Sequence, residues 1–425
     1  MNKYTSENIS ELKKILAERA ENISTEIMNT VAGVIDDVRK NGDAALYKYS
    51  EKFDKVALDN LFVSDEEQER LISLVPQNLK DTIDEAAKNI YAFHERQLQK
   101  SWMMSEPGKI MGQIVRPIEK VGLYVPGGTA AYPSSVLMNG IPAKVAGVKS
   151  VTIVTPPKKE GINPAVVYAA RKAGITKIAS VGGAQAVAAL AYGTESIPRV
   201  DKIVGPGNIF VAMAKKLVYG AVDIDMIAGP SEVLVIADER ANPKYVAADL
   251  MSQAEHDPMA AAILITTSEE LAKRVEEEIA IQKQSLARSE IIDRSLDAFG
   301  SIILVENLNK AVELSNEIAP EHLELSVANP FEVLALVKNA GSIFLGDYSP
   351  EPLGDYFAGP NHVLPTNGTA RFSSALGVDS FIKKSSYLYY NKEELEKIGE
   401  KVVTFADAEG LTAHANSIKK RLEDR

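Results

Sequence analysis

The 425-residue chain has no cysteine. Disulfide bonds are thereby excluded, and a reducing compartment is the natural setting. Any zinc would have to be held by nitrogen and oxygen rather than by thiolate. A surplus of positive charge is also missing, since 47 Lys and Arg stand against 58 Asp and Glu for a formal net charge of −11. A phosphate-backbone partner needs a basic face, and no lysine- or arginine-rich run provides one, so nucleic acid is not an expected partner. No window approaches the roughly 20 apolar residues that cross a bilayer. The opening Met1-Asn2-Lys3-Tyr4-Thr5-Ser6-Glu7 lacks the apolar stretch of a signal peptide. These absences predict a cytoplasmic protein with no membrane association. The G-x-G-x-x-G dinucleotide fingerprint follows none of the strand candidates.

What is present reads as an ordinary globular chain, 45% hydrophobic and 25% charged. Its length suggests about two to four packed units. The first hundred residues read as amphipathic helices. Ile27, Val31, Val34, Ile35 and Val38 share one face of a helix that Ser24 could cap and Gly42 could end. Ser64-Asp65-Glu66-Glu67 has capping-box spacing, and one long charged helix is expected from there toward Lys100. His94 sits among charged neighbours and reads as a solvated helix residue.

From about residue 120, short apolar strands alternate with helical patterns. Val121–Val125, Val151–Thr155, Lys177–Val181 and Lys202–Val204 each run into a Pro- or Gly-rich turn and then a helix. Val233–Ala237, Ala262–Thr266, Ser301–Val305 and Ser342–Leu345 repeat the pattern. Such alternation means parallel βαβ units, whose ligands bind at the carboxyl ends of the strands. The expected fold is α/β, with two Rossmann-like parallel-sheet domains plus small helical N-terminal and C-terminal segments. Residues 1–22 would form a helical arm, and 23–123 with 236–376 a discontinuous domain. Residues 124–235 would form an inserted domain. Residues 377–425 are too small a tail to bury a core alone.

Four groups could carry chemistry. Gln253 and His256 lie three apart near the end of a helix starting at about Asn242, so they can converge on one ion. Alone, such a pair is more often simply hydrogen-bonded. Glu321-His322 follows Pro320 and offers two adjacent proton-transfer groups, one of them the side chain whose pKa of about 6.5 suits a base near neutrality. Asp355 and His362 lie on a long Gly- and Pro-rich loop, of the kind that is usually functional. Glu409 and His414 sit in a C-terminal helix, where Leu411, His414, Ala415 and Ile418 would share a face. Of five histidines, four fall in these groups. The turns Gly127-Gly128, Gly182-Gly183-Ala184-Gln185 and Gly205-Pro206-Gly207-Asn208 could bring backbone amides to a pyrophosphate, although any α/β domain has such turns. On pattern alone an oxidoreductase, a zinc hydrolase and a non-catalytic nucleotide-binding protein all stay open.

The stretch Ile224-Asp225-Met226-Ile227-Ala228-Gly229-Pro230-Ser231-Glu232-Val233, continuing to Gln253-Ala254-Glu255-His256, closely resembles the signature of the histidinol dehydrogenase family. Tyr124–Gly128, Ala319–His322, Gly354-Asp355-Tyr356 and Asn361–Thr366 extend that resemblance over essentially the whole chain. It implies oxidation of L-histidinol through L-histidinal to L-histidine with two NAD. It also implies one zinc ion per subunit held by Gln253, His256, Asp355 and His414, proton transfer by Glu321 and His322, and substrate contacts from Ser231, His362 and Glu409 as well as from the metal ligands. Tyr124, Gln185 and Asn208 match the family's nucleotide contacts. A homodimer is implied, in which the C-terminal tail completes the partner's site.

Overall fold

The computed structural model describes residues 1–5, 7–21, 25–127 and 132–423. Ser24 and Gly128 therefore lie outside the described residues. The chain packs as two compact units, Met1–Gln97 with Ile118–Phe381, and Leu98–Pro117 with Ile382–Arg425.

The first unit holds two wholly parallel sheets. One has six strands in the order Asn2–Thr5, Ser301–Leu304, Ala261–Thr266, Glu232–Ala237, His322–Ser326 and Ser342–Leu345. The other has five, in the order Lys177–Ala179, Ser150–Val154, Lys120–Tyr124, Lys202–Val204 and Asp223–Ile224. Every residue of Glu232–Ala237 and Ala261–Thr266 is buried, as central strands covered by helices on both faces require. The sequence pattern finds most of these strands because a doubly covered strand is a short, continuous apolar run. It does not find Asn2–Thr5, an edge strand exposed except at Tyr4 that precedes helix Ile9–Glu21.

The early helices differ in detail from their expected extents. Val31, Val34, Ile35 and Val38 are buried on one face, and Gly42 (φ 49°, ψ −131°) breaks that helix as expected, although a second helical stretch follows directly to Tyr49. Ser64 caps the next helix by accepting from Glu67 N. The expected single helix toward Lys100 is two, Asp65–Ser73 and Gln77–Glu95, separated at Pro76.

His94 is fully buried, not solvated. Its Nδ1 lies 2.8 Å from Ile90 O, so it must donate, and Nε2 is left to accept from Asn361 Nδ2 at 3.3 Å. Burial lowers its pKa. The native state therefore refuses a proton that the unfolded chain accepts below about pH 6.5. The associated stability is present above that pH and lost as pH falls, by up to about 1.4 kcal/mol per pH unit. A His94→Gln variant is expected to be less stable at pH 7.5 but to lose less than wild type on going to pH 5.5. Urea unfolding at both pH values measures this, and parallel losses would count against it.

The second unit contains a three-stranded antiparallel sheet, Ile382–Tyr390, Lys109–Pro117 and Trp102–Glu106, and two helices, Lys392–Ala408 and Thr412–Glu423. Its small core comprises Val403, Ala406 and Ala415, with Ile418 against it. The expected terminal helix is thus a hairpin of two. No helix among the described residues is long and apolar enough to cross a membrane.

Candidate active site

Strand Glu232–Ala237 is the central reference of the site, because its neighbour His322–Ser326 opens on His322, directly after Glu321. The Glu232 backbone holds both members. Its N–H donates to Glu321 Oε2 at 2.8 Å, and its carbonyl accepts from His322 Nδ1 at 2.9 Å. A carbonyl oxygen can only accept, so Nδ1 keeps its proton and Nε2 is the atom left to exchange one. Nε2 lies 3.5 Å from Asp355 Oδ1, long for a hydrogen bond.

Both side chains are buried. Desolvation pushes Glu321 up to about 8. For His322, burial pulls the pKa down, but Glu321, Glu351 and Asp355 outweigh it and hold the group well above its usual value. Asp355 behaves conversely: burial raises it, but the neighbouring His322 brings it below the ordinary carboxylate range. Glu351, pushed by burial up to about 7, accepts from Ser252 Oγ at 3.3 Å.

These groups border a cavity of about 360 Å³ whose lining also includes Ser231, Gln253, His256 and His362. Helix Pro243–Ala254 delivers Gln253. Asn242 caps it by accepting from Lys244 N, and Pro243 occupies its first turn, where a missing N–H does no harm. Gln253 is wholly buried, yet neither amide atom has a hydrogen-bond partner. An unsatisfied buried amide costs about 1–3 kcal/mol, so the side chain suits a ligand. His256 is held below its usual pKa by burial, which keeps an imidazole neutral and able to bind a metal. His362 Nδ1 donates to Asp355 O at 2.9 Å, and Nε2 is 3.2 Å from Ser135 Oγ. Donor atoms of His322, Glu351 and Asp355 also lie within 4.8 Å of one another and could hold an ion. Glu351 has no place in the sequence reading, although Pro350 and Pro352 flank it; the loop expected around Asp355 is in part helical, with Glu351–Leu353 a short α-helix and Asp355 on the π-helical turn Gly354–Ala358.

A second cavity, of about 500 Å³, is bordered by Tyr124, Gln185 and Asn208. Two ten-residue helices start beside it, Gly183–Tyr192 and Ile209–Val218, the latter capped by Asn208 accepting from Phe210 N and Val211 N. Gly205 has φ 108°, and a side chain there would strike Tyr124 O, so this turn needs glycine. Asn208 borders both cavities. Glu409 and His414 belong to the second unit, where both are exposed, Glu409 ending helix Lys392–Ala408 and His414 in the first turn of Thr412–Glu423. The two cavities are lined by the first unit alone.

The profile of histidinol dehydrogenases matches residues 17–422. The chain belongs to the histidinol dehydrogenase family. The histidinol dehydrogenase of Clostridium acetobutylicum is 60% identical over 410 residues, covering 96% of this chain and 95% of that one. The histidinol dehydrogenase of Bacillus cereus is 56% identical, with 97% and 96% covered. A crystal structure of histidinol dehydrogenase from Elizabethkingia anophelis superposes with a TM-score of 0.95 at 41% identity, covering 100% of this chain and 98% of that one. As a histidinol dehydrogenase family member, the chain is an oxidoreductase of histidine biosynthesis.

Proposed function

We propose that the chain oxidises L-histidinol to L-histidine through L-histidinal in two hydride transfers to NAD, with one zinc ion at Gln253, His256 and Asp355. Overall, histidinol, water and two NAD⁺ give histidine, two NADH and three protons. The observation that carries the reading is the buried Glu321-His322 pair, hung from one backbone residue and bordering the same cavity as the orphaned Gln253 amide. Nicotinamide, when bound, accepts the hydride in each oxidation. Zinc at these residues would supply a positive charge that orients the substrate and offsets the pull of Asp355 on His322.

The rest falls to the chain's own groups. His322 Nε2 takes the hydroxyl proton as hydride leaves the carbinol carbon. Glu321 takes a proton from the water that adds to the aldehyde. The hydrate then loses its second hydride, and an accompanying hydroxyl proton passes again to His322. Ser231, His362 and Glu409 contact the substrate in this reading. Tyr124, Gln185 and Asn208 would contact the dinucleotide, and the two helix N-termini would supply N–H donors for its pyrophosphate. His414, the fourth zinc ligand, and Glu409 come from the tail of a partner subunit in a homodimer with shared sites.

NADH absorbance on adding histidinol and NAD⁺ tests the reaction and separates it from hydrolysis or simple nucleotide binding. Chelation is expected to abolish that signal and to lower the melting temperature by several degrees, because a ligand that binds the native state stabilises it. Zinc should restore both. Full histidinol oxidation by a demonstrably metal-free preparation would sink the metal assignment.

A further inference from the structure

The second cavity contains a charged group to which the reaction assigns no work. Asp54 closes the π-helical turn Ser50–Asp54, and Lys55 follows it in a left-handed conformation (φ 59°) that turns the chain away. Asp54 borders the cavity beside Tyr124. Its Oδ2 is buried and has no hydrogen-bond partner. Desolvation pushes the carboxyl up to about 6; burial raises the Tyr124 hydroxyl as well, and the Asp54 charge adds to that rise. The Tyr124 oxygen is already engaged, accepting from Gly183 N at 3.1 Å. Among the described residues, the charged groups lining this cavity are Asp54 and Glu26, with no Lys or Arg.

An acceptor oxygen buried without a donor calls for a ligand that brings hydroxyl groups. The same oxygen, with a second carboxylate nearby and no cation, repels a phosphate. The position of the cavity says which half of a dinucleotide meets it. Nicotinamide must reach Glu321 and His322 in the first cavity, and Asn208 is shared by both. Asp54 lines the second cavity alone, so it faces the adenosine half.

We propose that Asp54 accepts the adenosine ribose hydroxyls of the dinucleotide and excludes a 2′-phosphate, making it the residue that selects NAD over its 2′-phosphorylated analogue. This rests on the reading that the second cavity takes the dinucleotide. An acidic residue on the ribose 2′-hydroxyl is the usual device in nucleotide-binding α/β domains that carry the glycine fingerprint. Here it comes from the π-helical turn Ser50–Asp54, outside the strand and helix starts that carry Tyr124, Gln185 and Asn208.

The test is binding to the intact chain, read by calorimetry with NAD⁺, NADP⁺, 5′-AMP, 2′-deoxy-5′-AMP and adenosine 2′,5′-bisphosphate. The wild type should bind 5′-AMP at least about tenfold more tightly than either the deoxy or the bisphosphate analogue, the factor expected from losing a charge-assisted bond. Asp54→Ser should weaken NAD⁺ and 5′-AMP by a similar factor and bring the bisphosphate within about threefold of 5′-AMP. Asp54→Asn, nearly the same shape, should also lose most of the discrimination. Equal wild-type affinity for 5′-AMP and its deoxy analogue would overturn the proposal without any variant. So would NAD⁺ binding with unchanged selectivity in folded variants. A wild type that binds none of these nucleotides would instead overturn the cavity reading beneath it.

Discussion

Replacing His322 with Asn is expected to slow oxidation of both histidinol and histidinal by about 10²–10⁴-fold, because each hydride departs as a proton leaves the oxygen on the same carbon. Asn can still donate toward Glu232 O, so the strand pairing should survive while the basic Nε2 is lost. Glu321→Gln should behave differently. Gln keeps an oxygen that can accept from Glu232 N, but it cannot take a proton from water. Its loss should fall mainly on histidinal, again about 10²-fold or more, with histidinol-to-histidinal turnover much less affected. Burial pushes Glu321 up to about 8, so the aldehyde step should rise with pH toward that value and level off above it. Supplying histidinol and histidinal separately, in stopped-flow traces of NADH, resolves the two steps. Equal losses on both substrates for Glu321→Gln would mean that the roles are assigned wrongly.

How far such roles can be read without coordinates depends on the range of the interactions that create them. The alternation of apolar runs and Gly- or Pro-rich turns is local, so the parallel strands and the Asn242-capped helix carrying Gln253 were legible. Trp102–Glu106 was not. All five of its residues are exposed, so it lacks the alternation of a half-buried strand, and Lys109–Pro117 pairs with a segment more than 260 residues away. His94 was misplaced for a different reason. Its neighbours in sequence are charged, but Ile83, Ala86, Ile90 and His94 follow helical spacing and define the buried face. Ser231, Gln253, His256, Glu321, His322, Asp355 and His362, singled out in the sequence, do border one cavity. Their tuning was not legible, because it comes from tertiary neighbours. Arg19, on the helix Ile9–Glu21, is buried and ion-paired to Glu232, the residue whose backbone orders Glu321 and His322. No local pattern in an amphipathic helix marks that arginine.

The tail should be separable from the core by complementation. Gln253, His256 and Asp355 border the first cavity, whereas His414 and Glu409 are exposed on a unit with a core of a few small residues. If that unit completes the site of a partner subunit, a His322→Asn chain and a His414→Asn chain carry lesions on opposite sides of one shared boundary. Each homodimer is inactive. In a mixed dimer both lesions meet in one site, and the other site receives an intact core from one chain and an intact tail from the other. Random exchange under two-fold pairing makes half the dimers mixed, so about one quarter of wild-type activity should return. Sites built within a single chain would all keep a lesion, and mixing would return nothing. Co-expression with two affinity tags, followed by sequential purification, isolates the mixed species, which should then show about half the wild-type rate per dimer. Confirmed mixed dimers with no recovered activity would rule out the shared site and place the fourth ligand within the same chain.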